Sequence, residues 1–392
     1  MDFLSRIGST RPDVLIVAKG GRNIRYQRMT ADQQTPREFF YGLFDLEATG
    51  IPAAMMSSAA PVPGLLGMAA DGAERAFAGL TGLGVRPLSA RLSGPGLKDA
   101  KVVMSFTDGF SLSVGLGLAA LEPRPVLIGG FHGLTDIEGR HEIRARSLVR
   151  RLIVRALAGL DHVFFFGPAD REAAVSRYGL PREKTTVARF GVDSDFWRPL
   201  NNVERRDVVV AVGQDDNRDF DLLAQAPGRH PTHIVTRRKV NVPEDADHVA
   251  VTAGDFFGST SMTDDELRRL YCMASAVIVP LKDVNQPTGY SVTLQAMSCG
   301  RPVILSRIRG LWAPELLRDG DNCLLVSPGD GRELSAAIER VRADPALAAR
   351  LAARGRETVI RHFGLKAIGN STIELARLGM MLFESRATVQ AV

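Results

Sequence analysis

Apolar residues in this chain fall in short unbroken runs rather than in alternation. DVLIVA (Asp13–Ala18), KVVMSF (Lys101–Phe106), PVLIGGFH (Pro125–His132) and HVFFFG (His162–Gly167) mark the first half. Between them lie stretches of helical periodicity such as FSLSVGLGLAALE and IRARSLVRRLIVRALAGL. Apolar runs separated by helices predict parallel strands covered on both faces. The polar stretch GVDSDFWRPLNNVERRD breaks this rhythm, and a fresh strand, VVVAVG (Val208–Gly213), follows it. HIVT, HVAVTA, ASAVIVPL, RPVILS and NCLLVS then repeat the alternation. TDDELRRLYCMA opens with Thr263 and Glu266 at capping-box spacing, so a helix is predicted to start there. From GRELSAAIERVRA onward the pattern is helical. The expectation is an α/β protein of two doubly wound parallel-sheet domains with a cleft between them, divided near residue 200.

Composition sharpens this only slightly. A chain of 392 residues is too long for one ordinary core. Lys+Arg 49 against Asp+Glu 44 leaves a net charge of +5. That excess suits an anionic ligand or an anionic membrane face, and it is too small and too interleaved with acids for a nucleic-acid groove. The three cysteines, Cys272, Cys299 and Cys323, form no C-x-x-C pair. Neither a disulfide framework nor a zinc cluster is expected, and a reducing cytosol is the simplest home. The amino-terminal MDFLSRIGSTRPD lacks the basic start and apolar core of a signal peptide. No run approaches the roughly 20 apolar residues that span a bilayer. GLGLAA (Gly115–Ala120) fits a dinucleotide glycine pattern but sits inside a helical run well past its strand, so its glycines are expected to allow close helix–sheet packing.

The stretch QPTGYSVTLQAMSCGRPVILS (Gln286–Ser306) carries the chemistry. In open α/β sheets ligands bind beyond the carboxyl ends of strands, where loops pass into helices. ASAVIVPL is such a strand, Pro287 stiffens the turn after it, and Gly289 lets backbone approach a ligand. The amides of Tyr290, Ser291 and Val292 open the helix and suit an anion. Ser291 and Gln295, four apart, share a face. The plainer alternative has Ser291 and Thr293 capping the helix and Gln295 pointing into solvent.

Read with its surroundings, TGYSVTLQAMSCGRPV resembles the nucleotide-sugar-binding half of the retaining GT-B glycosyltransferases of family four (glycosyl transferases group 1). GVDSDFWRP (Gly191–Pro199) is similar to the family's inter-domain signature, and LLRDGDNCLLVSPGD (Leu316–Asp330) to a second loop motif. The amino-terminal half resembles the family mainly in SFTDG and GGFHG. Two departures stand out. Gln295 takes the place of a glutamate that contacts the nucleotide ribose in the family, and the preceding glutamate has no carboxylate counterpart at Gln286 or Pro287. In VGQDDNRDFDLL, Gln214 replaces the family's arginine while Arg218 matches its lysine.

The resemblance implies two Rossmann-like domains, residues 1–198 for the acceptor and 199–364 for a nucleotide sugar, with a helix at 365–392 returning to the first domain. It implies metal-independent transfer of a sugar from an NDP-sugar to a hydroxyl or amine with retention, and no cofactor. Arg218, His132 and Asp108 are the candidate catalytic residues. Gly20, Gly21, Arg237, Lys239, Gly289, Tyr290, Ser291, Val292 and Gln295 join Arg218 as candidate donor-binding residues, with Arg238 beside them and no metal ligands. Arg218→Ala is expected to lower transfer with folding intact, and Gln295→Glu to keep or improve nucleotide affinity. The alternatives are a non-catalytic nucleotide-sugar-binding subunit and an NDP-sugar epimerase. Arg140, Arg144, Arg151 and Arg155, at helical spacing, are read as a basic face for anionic lipid at the inner membrane surface or for solvent. The acceptor is a glycan, a small molecule or a lipid-linked sugar.

Overall fold

In the computed structural model of the chain the apolar runs become the central strands of two sheets. The structure describes residues 7–18, 21–31, 35–57, 62–93, 97, 99–140, 142–254 and 262–390. Two units share the chain. The first comprises residues 1–33, 39–189 and 368–392, and the second residues 34–38 and 190–367.

Among the described residues the first unit holds seven strands: β1 (Ile7–Gly8), β2 (Val14–Ala18), β3 (Ala53–Ser57), β4 (Val102–Ser105), β5 (Val126–Phe131), β6 (His162–Phe165) and β7 (Thr185–Val187). Their order is β1-β3-β2-β4-β5-β6-β7, antiparallel only at the β1–β3 edge. Both faces of the sheet are covered. Leu15 and Val17 pack into one apolar cluster with Leu112, Val149 and Ile153 from the flanking helices. On the other face the last helix, Leu365–Gln390, lays Gly379 against Val102 and Ile128. Thr372 of that helix donates to the Tyr41 carbonyl at 2.9 Å, and Arg386 pairs with Asp161.

The sequence pattern did not show β1, β3, β7 or the long helix Gly64–Thr81. That helix exposes Leu65, Leu66, Met68 and Leu80, so its apolar residues do not trace a core-facing stripe. The glycines of GLGLAA allow helix–helix rather than helix–sheet approach. A Cβ on Gly115 would stand 2.2 Å from the Ala156 carbonyl oxygen, and one on Gly117 2.3 Å from that of Pro87. The basic helix begins at Arg146, so Arg140 and Arg144 lie ahead of it.

The second unit is an all-parallel sheet in the order β10-β9-β8-β11-β12-β13. Its strands are β8 (Val209–Val212), β9 (Thr232–Val235), β10 (Val249–Thr252), β11 (Ala276–Val279), β12 (Val303–Ser306) and β13 (Leu324–Val326). Ala211, Ile278 and Ile304 pack on Leu334, Ile338 and Leu351 from the helices Gly331–Ala343 and Pro345–His362. The capping box forms: Thr263 accepts from the Glu266 amide at 3.2 Å, and the Glu266 carboxylate accepts from the Thr263 amide at 2.7 Å.

The division between units falls at Arg189–Phe190, ahead of the expected residue 198. The GVDSDFWRP stretch belongs to the second unit because its backbone and its tryptophan are fixed there. Val192 donates to the Phe363 carbonyl at 2.7 Å, and Trp197 is fully buried.

Candidate functional site

The loops beyond the carboxyl ends of β8 and β11 are sewn together. The amide of Lys282 donates to the Asn217 carbonyl and that of Asp219 to the Pro280 carbonyl. Asp215 is the side-chain centre of this loop pair. Its carboxylate accepts from Arg218 Nε at 2.7 Å, from Thr288 Oγ1 at 2.8 Å and from the Asn217 amide at 3.2 Å. Burial acts to raise the Asp215 pKa, but the charge of Arg218 and these hydrogen bonds outweigh it and hold the group below the usual carboxylate range.

Arg218 is 7% exposed and lies over Gly213, where any Cβ would stand 2.5 Å from Nε. Its Nη1 is buried without a hydrogen-bond partner. That leaves one charged donor of Arg218 without a protein partner. The Asp215 ion pair adds a stability cost to the expected effect of Arg218→Ala, because removing the guanidinium strands a carboxylate.

The helix Tyr290–Ser298 opens two residues after Thr288. Gly289 takes a left-handed conformation (φ 80°), and no side chain caps the helix, so neither Ser291 nor Thr293 does what the plainer reading asked. Thr293 Oγ1 is buried without a partner. Gln295 does not point into solvent. It is 4% exposed, and its Nε2 donates to Glu38 Oε1 at 3.2 Å.

Gln214 is occupied by backbone. Its Oε1 accepts from the Arg237 amide at 2.8 Å and its Nε2 donates to the Gly254 carbonyl at 2.5 Å. It therefore shapes the loop after β9 rather than offering a donor to a ligand. Arg237 and Lys239 are exposed, and Arg238 pairs with Asp216.

In the first unit, the ends of β4 and β5 bring Asp108 and His132 together. The His132 amide donates to Asp108 Oδ1 at 2.9 Å. His132 Nε2 lies 2.8 Å from the Phe106 carbonyl, an arrangement that places a proton on that nitrogen, and the ring stacks on Phe166 with centroids 4.5 Å apart. Sequence reasoning missed the residue that shapes this loop. Asp170, fully buried, accepts from the amides of Leu134 and Thr135 at 3.2 Å and from Thr135 Oγ1 at 2.7 Å. Burial pushes it up to about 7, with the charges of Asp108 and Asp136 adding to the effect. In sequence it reads only as an acid in the first turn of the helix Pro168–Tyr178. Gly21, at φ 92°, starts the helix Arg22–Thr30; Gly20 lies outside the described residues.

Among the described residues, no three His, Cys, Asp or Glu side chains converge as a metal-binding group, and no helix is long and apolar enough to cross a membrane.

Residues 208–344 match the family Glycosyl transferases group 1. The chain is 28% identical over 221 residues to alpha-maltose-1-phosphate synthase of Mycobacterium tuberculosis, covering 49% of this chain and 56% of the relative. It thus spans about half the length of that curated relative. Among solved structures, sucrose-phosphate synthase from Thermosynechococcus elongatus superposes with a TM-score of 0.63 at 19% identity, covering 96% of this chain and all of the other (100%). Anabaena HepE, crystallised with UDP and glucose, superposes with a TM-score of 0.62 at 17% identity, covering 93% and 99%. At these identities the structural likeness shows the fold, which is that of the GT-B glycosyltransferases.

Proposed function

We propose, for a chain that belongs to the group 1 glycosyl transferases and has their GT-B fold, that it moves a sugar from a nucleoside diphosphate to an acceptor hydroxyl or amine. The observation that carries this reading is the buried, unpartnered Arg218 Nη1, on a loop that Asp215 ties to Thr288 at the mouth of an uncapped helix. A diphosphate there meets a guanidinium and a row of backbone amides, the two groups that best hold phosphate oxygens. HepE, the solved structure that carries UDP and glucose, supports a nucleotide-sugar donor.

In the reaction, the bond between the sugar's anomeric carbon and the diphosphate oxygen breaks while a bond to the acceptor oxygen or nitrogen forms on the same face. The acceptor proton passes to the departing phosphate, so no protein nucleophile is required and configuration is retained. Negative charge grows on the diphosphate, and in this reading Arg218 and the helix amides stabilise it, with no metal called for. Asp108 and His132 are proposed to serve the sugar and acceptor side.

A thermal-shift series with UDP, ADP, GDP and CDP tests the donor assignment. One nucleotide is expected to stabilise the protein by about 2.7 kcal/mol at 100 times its Kd. A flat response to all of them would remove the diphosphate site.

The basic helix supports a membrane-proximal acceptor. Arg146, Arg150, Arg151 and Arg155 of Arg146–Gly159 are exposed, while Val149, Ile153, Ala156 and Leu157 fill the core. Leu148 and Val154 are exposed among the arginines. Sedimentation with phosphatidylglycerol-containing vesicles is expected to carry the protein down at low salt, and Arg150→Glu/Arg151→Glu to release it. Equal recovery with neutral vesicles would count against a charged lipid face.

A further inference from the structure

Glu38 is separated by 257 residues from the glutamine it meets. It is fully buried within the second unit. Its Oε1 accepts from Trp197 Nε1 at 2.6 Å and from Gln295 Nε2 at 3.2 Å, and its Oε2 accepts from the Asp193 amide at 3.1 Å. Trp197 in turn accepts, through its carbonyl, from Ser298 Oγ at 2.5 Å. Glu38 therefore grips the helix Tyr290–Ser298 twice, directly at Gln295 and through Trp197 at Ser298.

We propose that Glu38 is a positioning residue of the donor site, holding the helix whose amino end receives the diphosphate, and that its carboxylate dictates an uncharged hydrogen-bond donor at position 295. The positioning half of this rests on the reading of that helix mouth given above. A glutamate at 295 would set two carboxylates in hydrogen-bond contact in a dry site, where they must share a proton. Gln295 supplies the N–H instead.

The charges around the cluster are consistent with this arrangement. Burial pushes Glu38 up to about 7, the bonds from Trp197 and Gln295 oppose the rise, and the charge of Asp193 adds to it. Asp193 is paired with Arg37 at 3.4 Å. Two further cations packed on these elements are also partnered: Arg268 donates to the Phe196 carbonyl and pairs with Asp265, and Arg356 donates to the Ser298 carbonyl. Because the folded-state pKa of Glu38 lies above the unfolded 4.5, the native state keeps a proton that the unfolded chain has released, and stability falls as pH rises from 4.5 to about 7.

The test is Gln295→Glu, melted between pH 5 and 8 and titrated with the nucleoside diphosphates. Its melting temperature is expected to match the parent at pH 5, where protons remain on the pair, and to fall roughly 5–10 °C below it at pH 8. Adding Glu38→Gln removes one carboxylate and is expected to recover more than half of that loss at pH 8. A pH-independent difference, or no recovery in the double variant, overturns the pairing whether or not any nucleotide binds. Where a nucleotide binds the parent, its Kd is expected to weaken about tenfold at pH 8 in Gln295→Glu and to return at pH 5.5, a change of about 1.4 kcal/mol. Equal or tighter binding at pH 8 overturns the positioning role while leaving the donor site standing.

Discussion

Arg218→Lys is expected to fold like the parent protein and to transfer sugar roughly 100-fold more slowly, because the loss falls on charge stabilisation of the leaving group. A lysine at 218 keeps a cation beside Asp215 but loses the planar fork that presents Nη1. Arg218→Ala is expected to lose stability as well, and the geometry limits how much. Breaking a sealed buried pair costs about 3–5 kcal/mol, but the Asp215 side chain keeps 34% of its surface exposed, so about 1–3 kcal/mol is the appropriate scale. The sign with pH follows from Asp215. Its folded-state pKa is depressed, so its contribution is present above the unfolded value near 3.8 and is lost as pH falls below it. In Arg218→Ala the chief depressing charge is gone and the half-buried carboxylate accepts a proton more readily. The melting gap between parent and Arg218→Ala is therefore expected to be widest near neutral pH and to close toward pH 4. Turnover and melting curves for the two variants separate the roles. Parental turnover in Arg218→Lys would show that the guanidinium has no part in the reaction.

The strands and the helix mouth were legible in the sequence because each is written locally. An unbroken run rich in β-branched residues such as VLIVA, short and bounded by turn residues, favours a covered strand, and the pair Thr263 and Glu266 describes its own capping box. Gly289 was legible as well, since a glycine between a strand and an amphipathic run has few other uses. What escaped notice was written across the chain. Nothing near PREFF suggests that Glu38 faces Gln295, because that contact exists only once residues 34–38 join the second unit. Asp215 was hidden for a different reason: in GQDDNRD one acid among three looks solvated, and only the fold selects it as the partner of both Arg218 and Thr288. The glycines of GLGLAA were recognised as packing residues, yet sequence could not tell whether a helix or a sheet lay opposite Gly115. Gln295 carries the widest consequence. The resemblance reads it as a weakened ribose contact that a glutamate would restore, whereas its buried hydrogen bond to Glu38 is the basis for expecting the opposite effect of that substitution.

Gly289→Ala is expected to lower nucleoside diphosphate affinity at least tenfold while leaving a folded protein. Two costs act at this position. A left-handed alanine is unfavourable by about 1–2 kcal/mol. In addition, its Cβ would stand 2.8 Å from Val279 Cγ1, so the turn must shift away from β11 and carry the first helical amides with it. Gly179→Ala provides the control. Gly179 is also left-handed, at φ 65°, but a Cβ there meets nothing within 4 Å, and it caps a helix in the first unit. The control is expected to lose only the backbone cost, with nucleotide affinity unchanged. The difference in binding between the two variants, measured by titration at one temperature, isolates the displacement of the helix mouth from general loss of stability. If Gly289→Ala binds nucleotide as tightly as Gly179→Ala, the diphosphate is not held by the amides that follow Gly289, and Arg218 must meet its anion elsewhere.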